Sequence, residues 1–402
     1  MRIVEINSVY KSGSTGRIAA DISETVKKHG DECIVCYGYG KKTCNENYRF
    51  ALTFERFFDC VLTRLFDKHG ESCYFSTIKL ISFLKAFKPD IVHLHNIHGY
   101  YVNYRMLFKY LTKSQIKVVW TLHDCWPMTG HCAYFQYPHL CEDRKIGCAK
   151  KCIYKKNYPS TLLLSNSKKN FSKKQRYFTL LPKNKMTIVT PSNWLKEIVS
   201  SSFLSKYKCI VINNGIDVSM FSKKEISNFK VNMGIKNKIV LLAVAKGLDD
   251  QKGLQEYIKL SHMLNDKFVL IIVGSEGKKN KFNNERTLFI KETSCIDELI
   301  NFYSNSDIFI NLTLADNYPT VNLESISCGL PVITYNTGGS PESVTDGCGL
   351  IVEQYDLNGV IKAIDEILSN YKLFKNNCLK KSKEFDKNVC FEKYYQLFKA
   401  LM

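Results

Sequence analysis

Two carboxylates eight residues apart, Asp316 and Glu324, stand in the segment Leu314-Ala-Asp-Asn-Tyr-Pro-Thr-Val-Asn-Leu-Glu-Ser-Ile-Ser-Cys-Gly-Leu-Pro331. The segment follows an apolar run and opens a helix near Thr320, with Pro319 at or just before the first turn, where proline suits helix initiation. The N–H groups of Thr320 and Val321, added to the helix dipole, make an anion site that suits a diphosphate. Asp316 falls in the loop and Glu324 about one turn inside the helix, so both acids can face one ligand and accept paired hydrogen bonds from sugar hydroxyls. The competing reading is a helix start with an ordinary capping Asp and a surface Glu.

A second constellation is Ala243-Val-Ala-Lys246-Gly-Leu-Asp-Asp-Gln-Lys252-Gly253, which leaves a strand carrying two cations six residues apart. Fixed positive charge beside a departing diphosphate lowers the barrier without a metal, although lysine acts as a point charge and not as a fork. Two solvated loop lysines are the alternative. In the first half, Tyr10-Lys-Ser-Gly13-Ser-Thr-Gly16-Arg17 joins the first strand to a helix; its glycines serve either a phosphate-facing loop or only a tight connection. Val118-Val-Trp-Thr-Leu-His123-Asp124 sets a histidine and an aspartate at a strand end. His123 there either orients a hydroxyl or is a hydrogen-bonded structural residue.

Cysteines cluster once, from Cys125 to Cys152, with His131 and His139 among them. Cys132, Cys141, Cys148 and Cys152 can hold zinc tetrahedrally, with His131 as an alternate ligand. The spacing lacks the paired C-x2-C of common zinc sites, so a labile disulfide pair or plain reduced thiols stay open. Most of the 16 cysteines otherwise lie singly in apolar stretches, such as Cys33, Cys36, Cys209 and Cys328, as free thiols of a reducing compartment do.

The formal charge is +19, and between Arg144 and Lys196 there are 14 Lys or Arg and no Asp or Glu. Basic pairs alternate with Thr161-Leu-Leu-Leu164 and with the aromatics of Ser167–Phe178, so this stretch is either a surface for anionic lipid or a solvated basic face. Nucleic-acid binding is disfavoured, because the positive charge is concentrated in one segment and no recognisable nucleic-acid module is present. The N-terminus alternates like a strand and lacks the apolar core of a signal peptide, and no run reaches the ~18 apolar residues of a membrane span. A cytoplasmic protein is expected, docked at most on the inner face of the membrane.

These residues need rigid elements behind them. Apolar β-branched runs recur at Arg2–Asn7, Cys33–Tyr37, Ile91–His95, Val118–His123 and Thr187–Thr190, with helix-like stretches between. The rhythm restarts after Val211 with Ile239–Ala245, Phe268–Gly274, Leu288–Lys291, Asp307–Leu312, Pro331–Tyr335 and Gly349–Val352. That is the pattern of α/β units with parallel sheets. We expect a Rossmann-like domain over 1–212, with a Cys-rich, basic insertion at about 125–185, and a second one over 213–384. A helix over 385–402 would pack back on the first.

The Asp316-to-Glu324 segment resembles the E-x7-E signature of the retaining family 4 glycosyltransferases, with Asp in the first acidic place. Lys246 and Lys252 resemble the family's cation pair, Thr190-Pro-Ser-Asn-Trp194 and Ile212-Asn-Asn-Gly-Ile-Asp217 match the end of its first domain, and the His-Asp-Cys-Trp-Pro and Gly-His-Cys stretches resemble a surface-polysaccharide subset. The resemblance implies a GT-B fold, with two Rossmann-like domains facing a central cleft. It also implies retaining transfer of a hexose-type sugar from a nucleotide-diphosphate sugar to a glycan or polyprenyl-diphosphate-linked acceptor, with no catalytic metal. By the same resemblance the donor meets Gly13, Gly16, Lys246, Lys252, Asp316, Thr320, Val321 and Glu324, with His123 near the sugar or acceptor. A nucleotide-sugar epimerase on the same fold is the nearest rival, and it would convert its donor with no acceptor present.

Overall fold

The computed structural model describes residues 1–40, 47–136, 140–150, 152–223, 228–245, 247–274 and 286–402. Lys246, His139 and Lys151 lie outside the described residues. By internal contacts the chain divides into two compact units, one holding most of residues 1–213 together with Cys390–Met402, the other holding Asn214–Val389.

The first unit carries strands β1 (Arg2–Val9), β2 (Glu32–Tyr39), β3 (Tyr48–Arg49), β4 (Ile91–Leu94), β5 (Lys117–Thr121), β6 (Met186–Thr190) and β7 (Lys208–Val211). They form one sheet in the order β3-β2-β1-β4-β5-β6-β7, parallel throughout. Six consecutive residues of β1 are buried, as a strand covered on both faces requires. Parallel neighbours need crossover connections, and helices such as Gly13–Lys28 between β1 and β2 supply them.

One face of this sheet packs Val4, Ile6, Val92, Leu94 and Trp120 under the helices around Tyr104 and Phe178. The other packs Ile3, Ile91 and Val119 against Phe391, Tyr394 and Phe398. Those aromatics come from the last helix, Lys387–Leu401, which is tied down further where the Tyr395 hydroxyl donates to Asp31 Oδ2 at 2.9 Å.

The second unit repeats the plan with β8 (Ile239–Val244), β9 (Phe268–Val273), β10 (Thr287–Ile290), β11 (Ile308–Asn311), β12 (Val332–Tyr335) and β13 (Gly349–Val352). Their order is β10-β9-β8-β11-β12-β13, again parallel. In each sheet the order reverses beside its first strand, and doubly wound sheets bind ligands in the crevice at the carboxyl ends there. Both units are therefore Rossmann-like.

The strands end earlier than the apolar runs suggest. β4 stops at Leu94 and β5 at Thr121, so His95 and His123 stand just past the sheet. The two-residue β3 and the four-residue β7 have no counterpart in the sequence reading.

Phe398 is fully buried in the cluster beneath the first sheet. Phe398→Ala should cost about 3–5 kcal/mol, read as a lowered urea midpoint with an unchanged slope.

Candidate functional site

In the second unit the loop after β8 is pressed onto the loop after β11. Gly253 has a φ of +84°, and a Cβ there would lie 2.2 Å from the Leu312 carbonyl oxygen, so only glycine permits the approach. The Leu314 N–H donates to Gln251 O at 2.8 Å, and Gln251 Nε2 donates to Ala315 O at 3.3 Å. This contact places the Lys252 ammonium 2.7 Å from Asp316 Oδ2. Burial works against the lysine's charge, but the charge of Asp316 and its hydrogen bond outweigh burial, and the Lys252 pKa is raised. The two residues expected to meet different parts of a ligand are thus paired with each other.

The loop after β12 holds Asp316 from the other side. Gly338 has a φ of +56°, with its ideal Cβ 1.8 Å from the Asp316 carbonyl oxygen, so a side chain there would evict the loop. The Gly339 N–H donates to that oxygen at 3.2 Å, while Thr337 Oγ1 and Gln354 Nε2 each donate to Leu314 O at 3.0 Å. Gln251, Gly338 and Thr337 escape the sequence reading; Thr337-Gly-Gly after a strand was the signal available for two of them.

The next helix, Thr320–Ser327, starts from Pro319 with no side chain capping it. Its first amides, Thr320 and Val321, are therefore the anion-seeking end of a dipole a few residues from Asp316. Beneath it Asn311 Nδ2 donates to Asn322 Oδ1 at 2.8 Å, and Asn322 Nδ2 donates to Ser343 Oγ at 3.1 Å. Glu324 is 1% exposed and accepts from the Tyr303 hydroxyl at 3.1 Å. The surface-Glu alternative is excluded, because a carboxylate is buried like this only where partners offset the loss of water.

In the first unit, the strand ends gather a buried polar chain around Glu5. Its Oε1 lies 3.1 Å from His93 Nδ1 and its Oε2 lies 2.5 Å from His95 Nε2. His95 Nδ1 is 3.0 Å from His123 Nε2, and His93 Nε2 is 2.8 Å from Thr121 Oγ1. Burial alone would raise the Glu5 pKa, yet the charge and hydrogen bonds of the two imidazoles bring it down to about 2. Burial and the neighbouring imidazoles lower both His95 and His123, His123 well below the usual value. An ionised Glu5 accepts from His95, and a neutral His95 then accepts from His123 Nε2.

Glu5, His93 and His95 bring ligand atoms within 4.8 Å of one another, but each of these imidazole nitrogens already faces a hydrogen-bond partner, so the set is a proton-ordering chain. Asp124 does not pair with its neighbour His123; it lies 2.9 Å from His98 Nε2, because the chain turns sharply after β5. Gly16 lies close to the end of β1, its ideal Cβ 3.1 Å from Val9 Cγ2, while Gly13 has a φ of +63° and open space around it. The first therefore serves the tight connection, and the second leaves the mouth of the loop clear.

Residues 15–220 match the model of Glycosyltransferase Family 4, and residues 225–388 match that of Glycosyl transferases group 1. The putative colanic acid biosynthesis glycosyl transferase WcaC of Escherichia coli is 25% identical over 374 residues, covering 89% of this chain and 88% of that protein. The N,N'-diacetylbacillosaminyl-diphospho-undecaprenol alpha-1,3-N-acetylgalactosaminyltransferase of Campylobacter jejuni is 25% identical over 207 residues, 47% of this chain and 54% of that protein. Among solved structures, Anabaena Alr3699/HepE in complex with UDP superposes with a TM-score of 0.69 at 13% identity, covering 100% of both chains. That likeness is one of fold, the two-domain GT-B arrangement of Rossmann-like sheets.

His95 and His123 have lowered pKa values, so below about 6.5 the unfolded chain binds protons that the folded chain does not. Stability should be full above that pH and fall as pH drops toward 5, and His95→Gln should flatten this slope in thermal melts.

Proposed function

This chain belongs to glycosyltransferase family 4, and from that premise we propose that it transfers a hexose-type sugar from a nucleotide-diphosphate donor to a glycan or polyprenyl-diphosphate-linked acceptor in surface-polysaccharide synthesis. The observation that carries the reading is the Lys252–Asp316 pair set before the uncapped start of the Thr320 helix. Cation, dipole and carboxylate at one loop suit a ligand that is anionic at one end and hydroxylated at the other. In support of the donor and acceptor classes, the Anabaena neighbour binds UDP and the Campylobacter relative is named for a diphospho-undecaprenol substrate.

On this reading the diphosphate lies against Lys252 and the amides of Thr320 and Val321, with Lys246 as the second cation. Asp316 meets the transferred sugar and Glu324 the nucleotide ribose. Retention follows from attack on the face the diphosphate leaves: the bond from the anomeric carbon to phosphate oxygen breaks, the bond to the acceptor oxygen forms, and the departing phosphate oxygen takes the hydroxyl proton. Lys252 and the helix amides stabilise the charge that develops there, so the step needs no catalytic metal. His123, held through His95 and Glu5, stands near the sugar or acceptor and helps orient a hydroxyl.

A lipid-linked acceptor is met at a membrane, and the first unit has a surface suited to one. Helix Thr53–Phe66 is inside out: its buried residues are Glu55, Asp59 and Thr63, while Phe54, Phe57 and Phe58 are 57%, 69% and 62% exposed. Its acids are satisfied inward, Glu55 by the Phe75 and Ser76 amides at 2.8 and 2.7 Å and Asp59 by the Gly70 and Ser72 amides, both at 3.3 Å. Exposed Phe75 and Ile78 extend the patch, as do Leu162–Leu164, joined where the Leu162 N–H donates to Arg64 O at 2.7 Å. Arg56, Arg64, Lys68 and Lys79 are exposed around it. Aromatics beside cations on a helix face suit an anionic bilayer surface.

On this reading the lipid-facing patch keeps Leu162–Leu164 of the basic stretch but takes its aromatics from helix Thr53–Phe66 and not from helix Ser167–Phe178. In helix Ser167–Phe178, Lys174, Tyr177 and Phe178 are buried, and Lys173 pairs with Glu71 at 2.8 Å. No helix among the described residues is long and apolar enough to cross a membrane, so the proposal is peripheral docking on the cytoplasmic face.

Thermal-shift and transfer assays with UDP-, GDP- and dTDP-sugars should find one donor that stabilises the protein, and Glu324→Ala should abolish that shift. Silence across the panel from folded protein would refute the donor assignment. For docking, Phe57→Ser with Phe58→Ser should cut co-sedimentation with anionic vesicles at least about tenfold without altering the donor shift.

A further inference from the structure

The Cys-rich insertion takes no part in the transfer proposed above. Its four clustered thiols, Cys132, Cys141, Cys148 and Cys152, line one small cavity together with His131 and Arg144. The cavity measures about 10 Å³, room for one atom-sized occupant. All four cysteines are free, Cys132 buried and the others partly so. We propose that this cavity is a structural zinc site, in which the thiolates of Cys132, Cys141, Cys148 and Cys152 hold one Zn²⁺ tetrahedrally and clamp the insertion onto the first unit.

Three features of the surroundings point to an occupant. First, backbone N–H groups are aimed at sulfur: Gly130 donates to Cys148 Sγ at 3.3 Å, and Tyr154 donates to Cys152. Such donors stabilise a metal-bound thiolate more than a neutral thiol. The approach of Gly130 depends on its lacking a side chain, since a Cβ would lie 2.0 Å from the Ser167 carbonyl oxygen.

Second, His131 is buried on the cavity wall with Nε2 lacking a hydrogen-bond partner. Its Nδ1 is 2.6 Å from Asp67 Oδ1, and Asp67 is itself held by the Asn166 N–H at 2.8 Å. With Nδ1 on the Asp67 carboxylate, Nε2 turns a lone pair to the cavity wall, which is costly in a buried place unless a cation stands close by.

Third, Lys174 is 2% exposed. Its ammonium donates only to the carbonyls of Trp126 and Thr129, at 2.7 and 3.0 Å, and lies 3.5 Å over the Trp126 ring. Among the described residues no carboxylate forms an ion pair with it. Burial pulls its pKa down to about 7, while Asp67, Cys132 and Cys148 push it back up. A zinc ion with four thiolates has a net charge of −2, the counter-charge that a buried ammonium needs.

The thiols do not yet stand at mutual ligand distance; among the described residues only Glu5, His93 and His95 bring three ligand atoms within 4.8 Å of one another. The ion must therefore draw the loop in, which couples metal binding to the folding of the insertion. Each thiol gives up its proton on binding zinc, so the affinity falls with acidity.

The test is zinc analysis of the full chain, purified without chelator from zinc-supplemented culture. About one equivalent of zinc per chain is expected, lost in Cys132→Ser and Cys148→Ser and kept in Cys209→Ser. Should the serine variants fold poorly, wild-type protein stripped and reloaded with Co²⁺ supplies an independent readout: the intense visible bands of a tetrahedral thiolate complex are expected. His131→Gln should retain the metal; its loss there would overturn the four-thiolate set. Less than about a tenth of an equivalent in wild type, or a weak octahedral Co²⁺ spectrum, would overturn the site itself.

Discussion

Beyond the end of a parallel strand, carbonyls and amides lose their ladder partners and must find others or face water. At the end of β11 that constraint shapes everything near Asp316. The Leu314 carbonyl is taken by Thr337 and Gln354, the Ala315 carbonyl by Gln251, and the Asp316 carbonyl by Gly339. Gly253 and Gly338 admit these contacts by having no Cβ. Three loops from separate strands thus fix one carboxylate, and Lys252 arrives at it as a consequence. A site built this way is rigid before any ligand comes, which is what electrostatic stabilisation of a leaving group requires.

The first unit solves the same problem with side chains. Glu5 sits in the middle of a fully buried strand, and only the imidazoles of His93 and His95 make that tolerable. The hydrogen-bonded chain runs on to His123 at the rim, so a residue buried in the sheet orients one at its edge. Elsewhere in this unit polar residues turn inward and apolar ones outward along Thr53–Phe66, and the Cys-rich loop surrounds a small cavity beside a buried lysine. Both are departures from ordinary burial, and each marks a surface or cavity suited to another component.

The fold class was legible because buried parallel strands are continuous apolar runs, and those runs recur twice. The spacing of Asp316 and Glu324 was legible because a helix start has a local signature. What the sequence hid was long-range. Glu5 reads as an outward charge in an alternating strand until His93 is set beside it in register. Tyr303 reaches Glu324 from another helix, and the ion pair of Lys252 with Asp316 joins residues 64 apart. Phe54, Phe57 and Phe58 have the spacing of a core-facing stripe, and only the carboxylates buried opposite them reveal that the stripe faces out.

The central claim is that Lys252 serves the donor diphosphate and is held ready by Asp316. It is tested most directly by the affinity for the nucleoside diphosphate alone, measured by calorimetry on wild type, Lys252→Ala and Asp316→Asn. Lys252→Ala should bind about tenfold more weakly, roughly 1.4 kcal/mol. Asp316→Asn should bind at least as tightly as wild type, because its lysine no longer divides its charge between carboxylate and phosphate, and yet it should lose sugar transfer. Equal affinity in wild type and Lys252→Ala would contradict the account.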